Sequence, residues 1–123
     1  MIPADAWYEW LPNETCKQPH YIASHDREPL SFAGIYVERE GGSLGCAILT
    51  EPALGSAGDV HHRMPLILDD ASIEPWLDPD LTDRETIRQV VRHLDAELLE
   101  HWPVSRAVNR AGNDNDTGLI NPA

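Results

Sequence analysis

The stretch Leu30-Ser31-Phe32-Ala33-Gly34-Ile35-Tyr36-Val37, followed beyond Gly41-Gly42 by Leu44-Gly45-Cys46-Ala47-Ile48-Leu49-Thr50, decides the fold class. Both runs are short, apolar and rich in aromatic and branched residues, the side chains that suit a pleated, half-buried surface. The two glycines between them tolerate the positive φ of a tight turn, so the spacing predicts an antiparallel hairpin. Working outward, residues 6–10 and 19–23 read as earlier strands, set apart by Pro, Asn and Asp. Residues 65–68, Pro-Leu-Ile-Leu, read as a fifth strand, a continuous apolar run expected to be buried on both faces.

The period then changes. Thr82-Asp83-Arg84-Glu85 has the spacing of a capping box, with Thr82 as the cap and Glu85 reaching back. Ile87, Val90, Val91, Leu94 and Leu98 follow at helical intervals, which predicts one principal helix near residues 82–101, ended by Pro103. A shorter helical turn is expected around 72–77 and a last strand over 104–108. The polar stretch 109–123 suits a loop. The fold class is therefore α+β, mainly antiparallel sheet, in a single domain over residues 1–123.

Composition narrows the function. The 123 residues carry 9 basic and 21 acidic side chains, a net charge of −12. The charge is even along the chain: three basic against nine acidic residues in 1–60, and six against twelve in 61–123. Phosphate binding normally leaves a basic footprint, so this balance argues against unaided nucleic-acid binding. Residues 69–85 hold seven acids opposed only by Arg84 and read as a solvated surface. Cys16 and Cys46 lack metal-site or disulfide-scaffold spacing, and no apolar run reaches the length of a membrane span. The expectation is a cytoplasmic protein with no membrane partner.

Two places carry chemistry. In Trp7-Tyr8-Glu9-Trp10 a carboxylate stands among three aromatics, and strand alternation sends Tyr8 and Trp10 to one face and Trp7 and Glu9 to the other. Desolvation there would fit Glu9 for proton transfer; the alternative is a surface glutamate beside aromatics. In His61-His62-Arg63-Met64-Pro65 a guanidinium and two imidazoles adjoin the buried run, a combination suited to holding an anion and exchanging protons. The alternative is a hydrogen-bonded core His61 and an exposed His62. Adjacent histidines on a strand diverge and no third ligand is spaced for zinc, so no metal or cofactor is implied. Cys16 and Cys46 show no local activating partner, Arg106 and Arg110 read as solvated, and Trp76 and Trp102 read as packing residues.

Taken in order, IPADAWYEW (2–10), KQPHYIAS (17–24), PLSFAGIYVE (29–38), CAILTEPA (46–53), HHRMPLIL (61–68), PWLDP (75–79) and VSRAVNRAGNDN (104–115) resemble the SOS response-associated peptidase, or SRAP, family from end to end. The resemblance implies recognition of abasic sites in single-stranded DNA and their capture as a covalent protein–DNA crosslink, under an older label of thiol autopeptidase. In that family an N-terminal cysteine closes a thiazolidine on the ring-opened sugar, assisted by a glutamate and a histidine. These fall on Glu9 and His61. Arg63 matches an arginine beside the DNA backbone, and Thr50 a polar residue near the phosphates.

The departures are as informative. Family members begin with Met-Cys-Gly and carry a long N-terminal portion with further arginines, whereas residue 2 here is Ile, and His62 stands where the family has Asp. The chain is thus expected to be the C-terminal part of an SRAP domain, without a nucleophile and inactive alone. A different class of reading is a non-catalytic interaction module that pairs, with itself or another chain, through exposed strand edges. A third, an unrelated Glu/His hydrolase, needs both groups around one bound substrate.

Overall fold

The structure, a computed structural model, describes residues 1–123. Nine strands form four small antiparallel sheets. Strands β1 (Ile2–Ala4) and β4 (Leu30–Phe32) pair, as do β5 (Gly34–Glu38) with β6 (Leu44–Ile48) and β7 (Thr50–Pro52) with β8 (Arg63–Pro65). The largest sheet places β3 (Lys17–Ser24) between β2 (Ala6–Pro12) and β9 (Leu99–Pro103). Two helices, α1 (Asp70–Leu77) and α2 (Arg84–Val90), complete an α+β fold. Neither is long and apolar enough to cross a membrane.

The hairpin forms as its sequence demands: Gly41 and Gly42 sit at φ +86° and +81°, and β5 pairs with β6 from Gly34↔Ile48 to Glu38↔Leu44. Each expected strand is split, however. The runs over 30–37 and 44–50 change partners at Ala33 and Leu49, where the chain meets Leu66. There the N–H of Ala33 donates to the carbonyl of Leu66 (2.9 Å), that of Leu66 to Leu49 (2.8 Å), and that of Leu49 to Ala33 (2.9 Å). The strand expected over 65–68 is shifted to Arg63–Pro65, because Leu66 bonds to Ala33 and Leu49 and leaves Ile67 and Leu68 in isolated bridges; of the apolar run, Ile67 and Leu68 are buried and Pro65 and Leu66 half-buried. Leu30, Phe32, Ala57, Met64, Ile67 and Leu99 form the core, and Trp7 packs edge-on against Phe32 at 5.9 Å between ring centroids.

The second half departs most from expectation. The helix expected over 82–101 spans only Arg84–Val90, and its cap is Asp83, whose carboxylate accepts from the Thr86 N–H at 2.8 Å, in place of Thr82. Tertiary partners take over the backbone beyond it. Arg92 N–H donates to Ser72 Oγ (2.7 Å), Leu94 N–H to the Ile67 carbonyl (2.7 Å), and Leu68 bridges His93. Branched Val90 and Val91 lose side-chain freedom in a helix, so extension costs little here. Pro103 accordingly ends a strand, β9, and not a helix. The strand expected over 104–108 is displaced to β9, and Arg106–Asn109 is a 3-10 helix capped by Ser105, whose Oγ accepts from Ala107 N–H. The tail docks: Trp102 Nε1 donates to the Ile120 carbonyl, and Ala123 N–H to that of Pro103.

Ser72 is 1% exposed and its hydroxyl receives the first backbone donor of the extended segment. Ser72→Ala leaves the Arg92 N–H without that acceptor, and a loss of about 1–3 kcal/mol in urea unfolding is expected; an unchanged midpoint would show that the segment is held by packing alone.

Candidate functional site

Strand pairing fixes which side chains share a face. Cross-strand partners point the same way, so the pairs Trp7↔Ile22, Glu9↔His20, Ile22↔His101 and His20↔Pro103 put Glu9, His20 and His101 on the core-side face with Trp7. Tyr8, Tyr21 and Trp102 take the opposite face, where Tyr8 and Tyr21 meet edge-on and Arg27 lies over the Trp102 ring at 4.5 Å. The alternation read from Trp-Tyr-Glu-Trp thus holds. Glu9 is half-buried, and its Oε1 accepts from the Trp10 N–H at 3.3 Å.

The 3-10 helix Gly55–Asp59 packs against β9 and delivers the chain to His61. Ser56 Oγ donates to the Leu99 carbonyl at 3.1 Å. Gly55, at φ +58°, approaches so closely that an added Cβ would stand 3.0 Å from the Ala96 carbonyl oxygen, which is why glycine serves there.

His61 and His62 precede β8, so their rings do not diverge as strand neighbours would; they lie 4.4 Å apart between centroids, tilted by 33°. His61 is half-buried and His62 exposed. Arg63 N–H donates to His61 Nδ1 at 3.1 Å, and the Arg63 carbonyl lies at the same distance. Nδ1 therefore has a backbone partner in either state: it accepts from N–H when bare and donates to C=O when protonated. Nε2 is left to trade a proton.

Thr50 and Arg63 are brought together. Arg63 Nη2 donates to the Thr50 carbonyl (2.7 Å) and to its Oγ1 (3.0 Å), and Nε lies 3.3 Å from Oγ1. This fork holds the half-buried Arg63 guanidinium over the start of β7, next to His61. No hydrogen bond joins Glu9 to His61 directly. Among groups the sequence did not single out, His20 is the cross-strand partner of Glu9, its Nδ1 stands 3.0 Å from His101 Nδ1, and His101 Nε2 lies 3.8 Å from Asp59. Only strand register could have found the His20–His101 pair, because 81 residues separate its members.

One Nδ1 of that pair must accept while the other donates, so both imidazoles cannot be fully protonated in this arrangement. Burial, and then the neighbouring His101, push the His20 pKa below the ordinary histidine value. Cys16 corrects another expectation. It has activating neighbours: hydrogen bonds from Thr15 first, then Asn13, and after them the Arg106 guanidinium hold its thiol below the usual range. Cys46 is exposed, not a buried small hydrophobe.

Comparison with known proteins gives a consistent picture. The family model described as SOS response associated peptidase (SRAP) matches residues 1–111. The abasic site processing protein YoqW of Bacillus subtilis is 36% identical over 120 residues, covering 93% of this chain and 53% of that protein. A phage-related protein of Bordetella bronchiseptica, solved by X-ray crystallography, superposes with a TM-score of 0.69 at 35% identity, covering 85% of this chain and 52% of the other. A Bacteroides thetaiotaomicron crystal structure shares the fold at a TM-score of 0.78 and 24% identity, covering 99% and 55%. The chain thus spans about half the length of the relatives it matches.

The His20 shift sets a pH dependence. Its folded pKa is depressed, so between that value and the unfolded one (about 6.5) the unfolded chain binds more protons. The contribution of neutral His20 is present above about pH 6.5 and is lost as pH falls through the folded pKa. Thermal unfolding should therefore show a midpoint that drops from pH 7.5 to 5.5, with a smaller drop in His20→Phe; parallel curves for the two proteins would remove His20 as the cause.

Proposed function

The chain belongs to the SOS response associated peptidase family, and on that footing we propose that it takes part in abasic site processing, as one portion of a unit that traps abasic sites in single-stranded DNA. The observation that carries this reading is the grouping at β7 and β8. His61, with Nε2 outside its backbone contacts, stands next to a half-buried Arg63 guanidinium braced by Thr50.

In this reading Arg63 and Thr50 hold a phosphate of the DNA backbone, since a guanidinium fixed in orientation presents paired donors to phosphate oxygens. Glu9 and His61 move protons. When a cysteine amine adds to the sugar aldehyde, water leaves and an imine forms; the cysteine thiol then adds to the imine carbon and closes a thiazolidine, so one water is released per crosslink. Protonating the departing hydroxyl is work for Glu9, and relaying the thiol proton to the ring nitrogen is work for His61. The nucleophile comes from the part of an SRAP domain that this 123-residue chain does not contain, and with it the positive charge that a net −12 chain lacks. The setting is the cytoplasm.

Alone, the chain is expected to leave abasic single-stranded DNA uncrosslinked, read as the absence of a heat-stable, slowly migrating band on a denaturing gel. Supplied with the remainder of the domain, it should give that band. Glu9→Gln or His61→Ala should then slow its appearance by about 10²-fold or more. Arg63→Ala should weaken DNA binding and lower the salt slope by about one phosphate contact. A crosslink formed by this chain unaided would overturn the assignment of the nucleophile.

A further inference from the structure

The β5–β6 hairpin is folded but uncovered. Ile35, Tyr36, Val37, Leu44 and Ile48 are 52%, 75%, 59%, 66% and 41% exposed, five of the ten large hydrophobic side chains left open on the whole surface. They lie on both faces of a two-stranded sheet, and neither edge of that sheet pairs with a third strand. An isolated two-stranded ribbon is marginal in water, and an open apolar edge invites another strand. Beside the hairpin runs an apolar groove, lined by Ile35 and Tyr36 on one wall and by Pro75, Trp76, Leu81 and Ile87 from the helical segment on the other.

Area and charge say what covers it. A compact protein of 13.7 kDa exposes about 6,600 Å², whereas this chain exposes 8401 Å². The excess, about 1,800 Å², is about twice what one partner contributes to a standard protein interface. The other side of α1 carries Asp70, Glu74 and Asp78, so the helix that walls the groove is acidic on its far face while the groove itself is lined without charge. A second copy would bring a second charge of −12 to a chain already at −12; a basic partner gains what a second copy loses.

We infer that the β5–β6 hairpin and the groove beside it are the seam at which a basic polypeptide, the part of an SRAP domain that this chain does not contain, joins by adding a strand and covering Tyr36 and Leu44. This rests on the functional reading above, and it names the partner that completes the site. Comparison supplies the missing length: the chain covers 53% of its Bacillus relative and 55% of the Bacteroides structure.

The test is co-expression of the full chain with the affinity-tagged portion of Bacillus subtilis YoqW that lies outside the matched stretch. The expected result is a 1:1 complex, with slowed amide exchange at 34–38 and 44–48. Recovery should fall at least about tenfold in the double variant Tyr36→Lys, Leu44→Lys, the size of one lost hot-spot side chain, and hold in Ile120→Lys, which is exposed but off the hairpin. Circular dichroism melts of both variants establish that they fold. No recovery of the YoqW portion, equal recovery with the hairpin variant, a complex without protection of the hairpin, or a homodimer that protects it would each overturn the seam. A protected complex that fails to trap abasic DNA would instead sink the functional reading and leave the seam standing.

Discussion

Three backbone hydrogen bonds closed in a ring, Ala33 to Leu66 to Leu49 and back, hold the molecule together. Ala33 lies between β4 and β5, Leu49 between β6 and β7, and Leu66 just beyond β8, so three ribbons that would be marginal alone share one node. Ala33 is fully buried there, a position where added side-chain volume overpacks the core. One residue past Leu49 is Thr50, and three before Leu66 is Arg63, so the node also sets where the guanidinium rests on the threonine. The hairpin leaves the same node in another direction, which is why it can fold and still stand uncovered.

The large sheet is organised by burial on one face. Trp7, Ile22 and Leu99 turn toward the core, and Glu9, His20 and His101 share their side because a period of two allows no other choice. Polar groups on an inward face must find partners or pay heavily in desolvation. The two imidazoles satisfy each other at 3.0 Å, with Asp59 beyond them. The His20–His101 pair is thus placed beside Glu9 on the core-side face. Electrostatics of the whole chain point outward instead: its surplus of acids suits a basic complement far better than nucleic acid met alone.

Much of this was legible beforehand because it depends on local chemistry. Gly41-Gly42 announces a turn that few other residues tolerate, and Trp7-Tyr8-Glu9-Trp10 announces its two faces through strand alternation alone. The blocks around His61 and Arg63 carried the family. The helix from 82 to 101 failed for a physical reason: the spacing of Ile87, Val90, Val91, Leu94 and Leu98 is helical, but Ser72, Ile67 and Leu68 offer residues 92–94 better backbone partners than a continued helix does. The lowered Cys16 thiol was missed although its leading causes, Thr15 and then Asn13, are sequence neighbours; only the added contribution of Arg106, 90 residues away, had no local signal.

Sequence by itself therefore determined the α+β class, the hairpin, the faces of β2, the acidity and the family, because turn conformation, alternation and charge are properties of neighbouring residues. Tertiary structure alone decided where strands change partners, where the helix ends, that His20 meets His101, that Arg63 is braced by Thr50, and that the hairpin stands bare. Those outcomes turn on which distant groups compete for a backbone donor or an imidazole nitrogen, and that competition has no local signature.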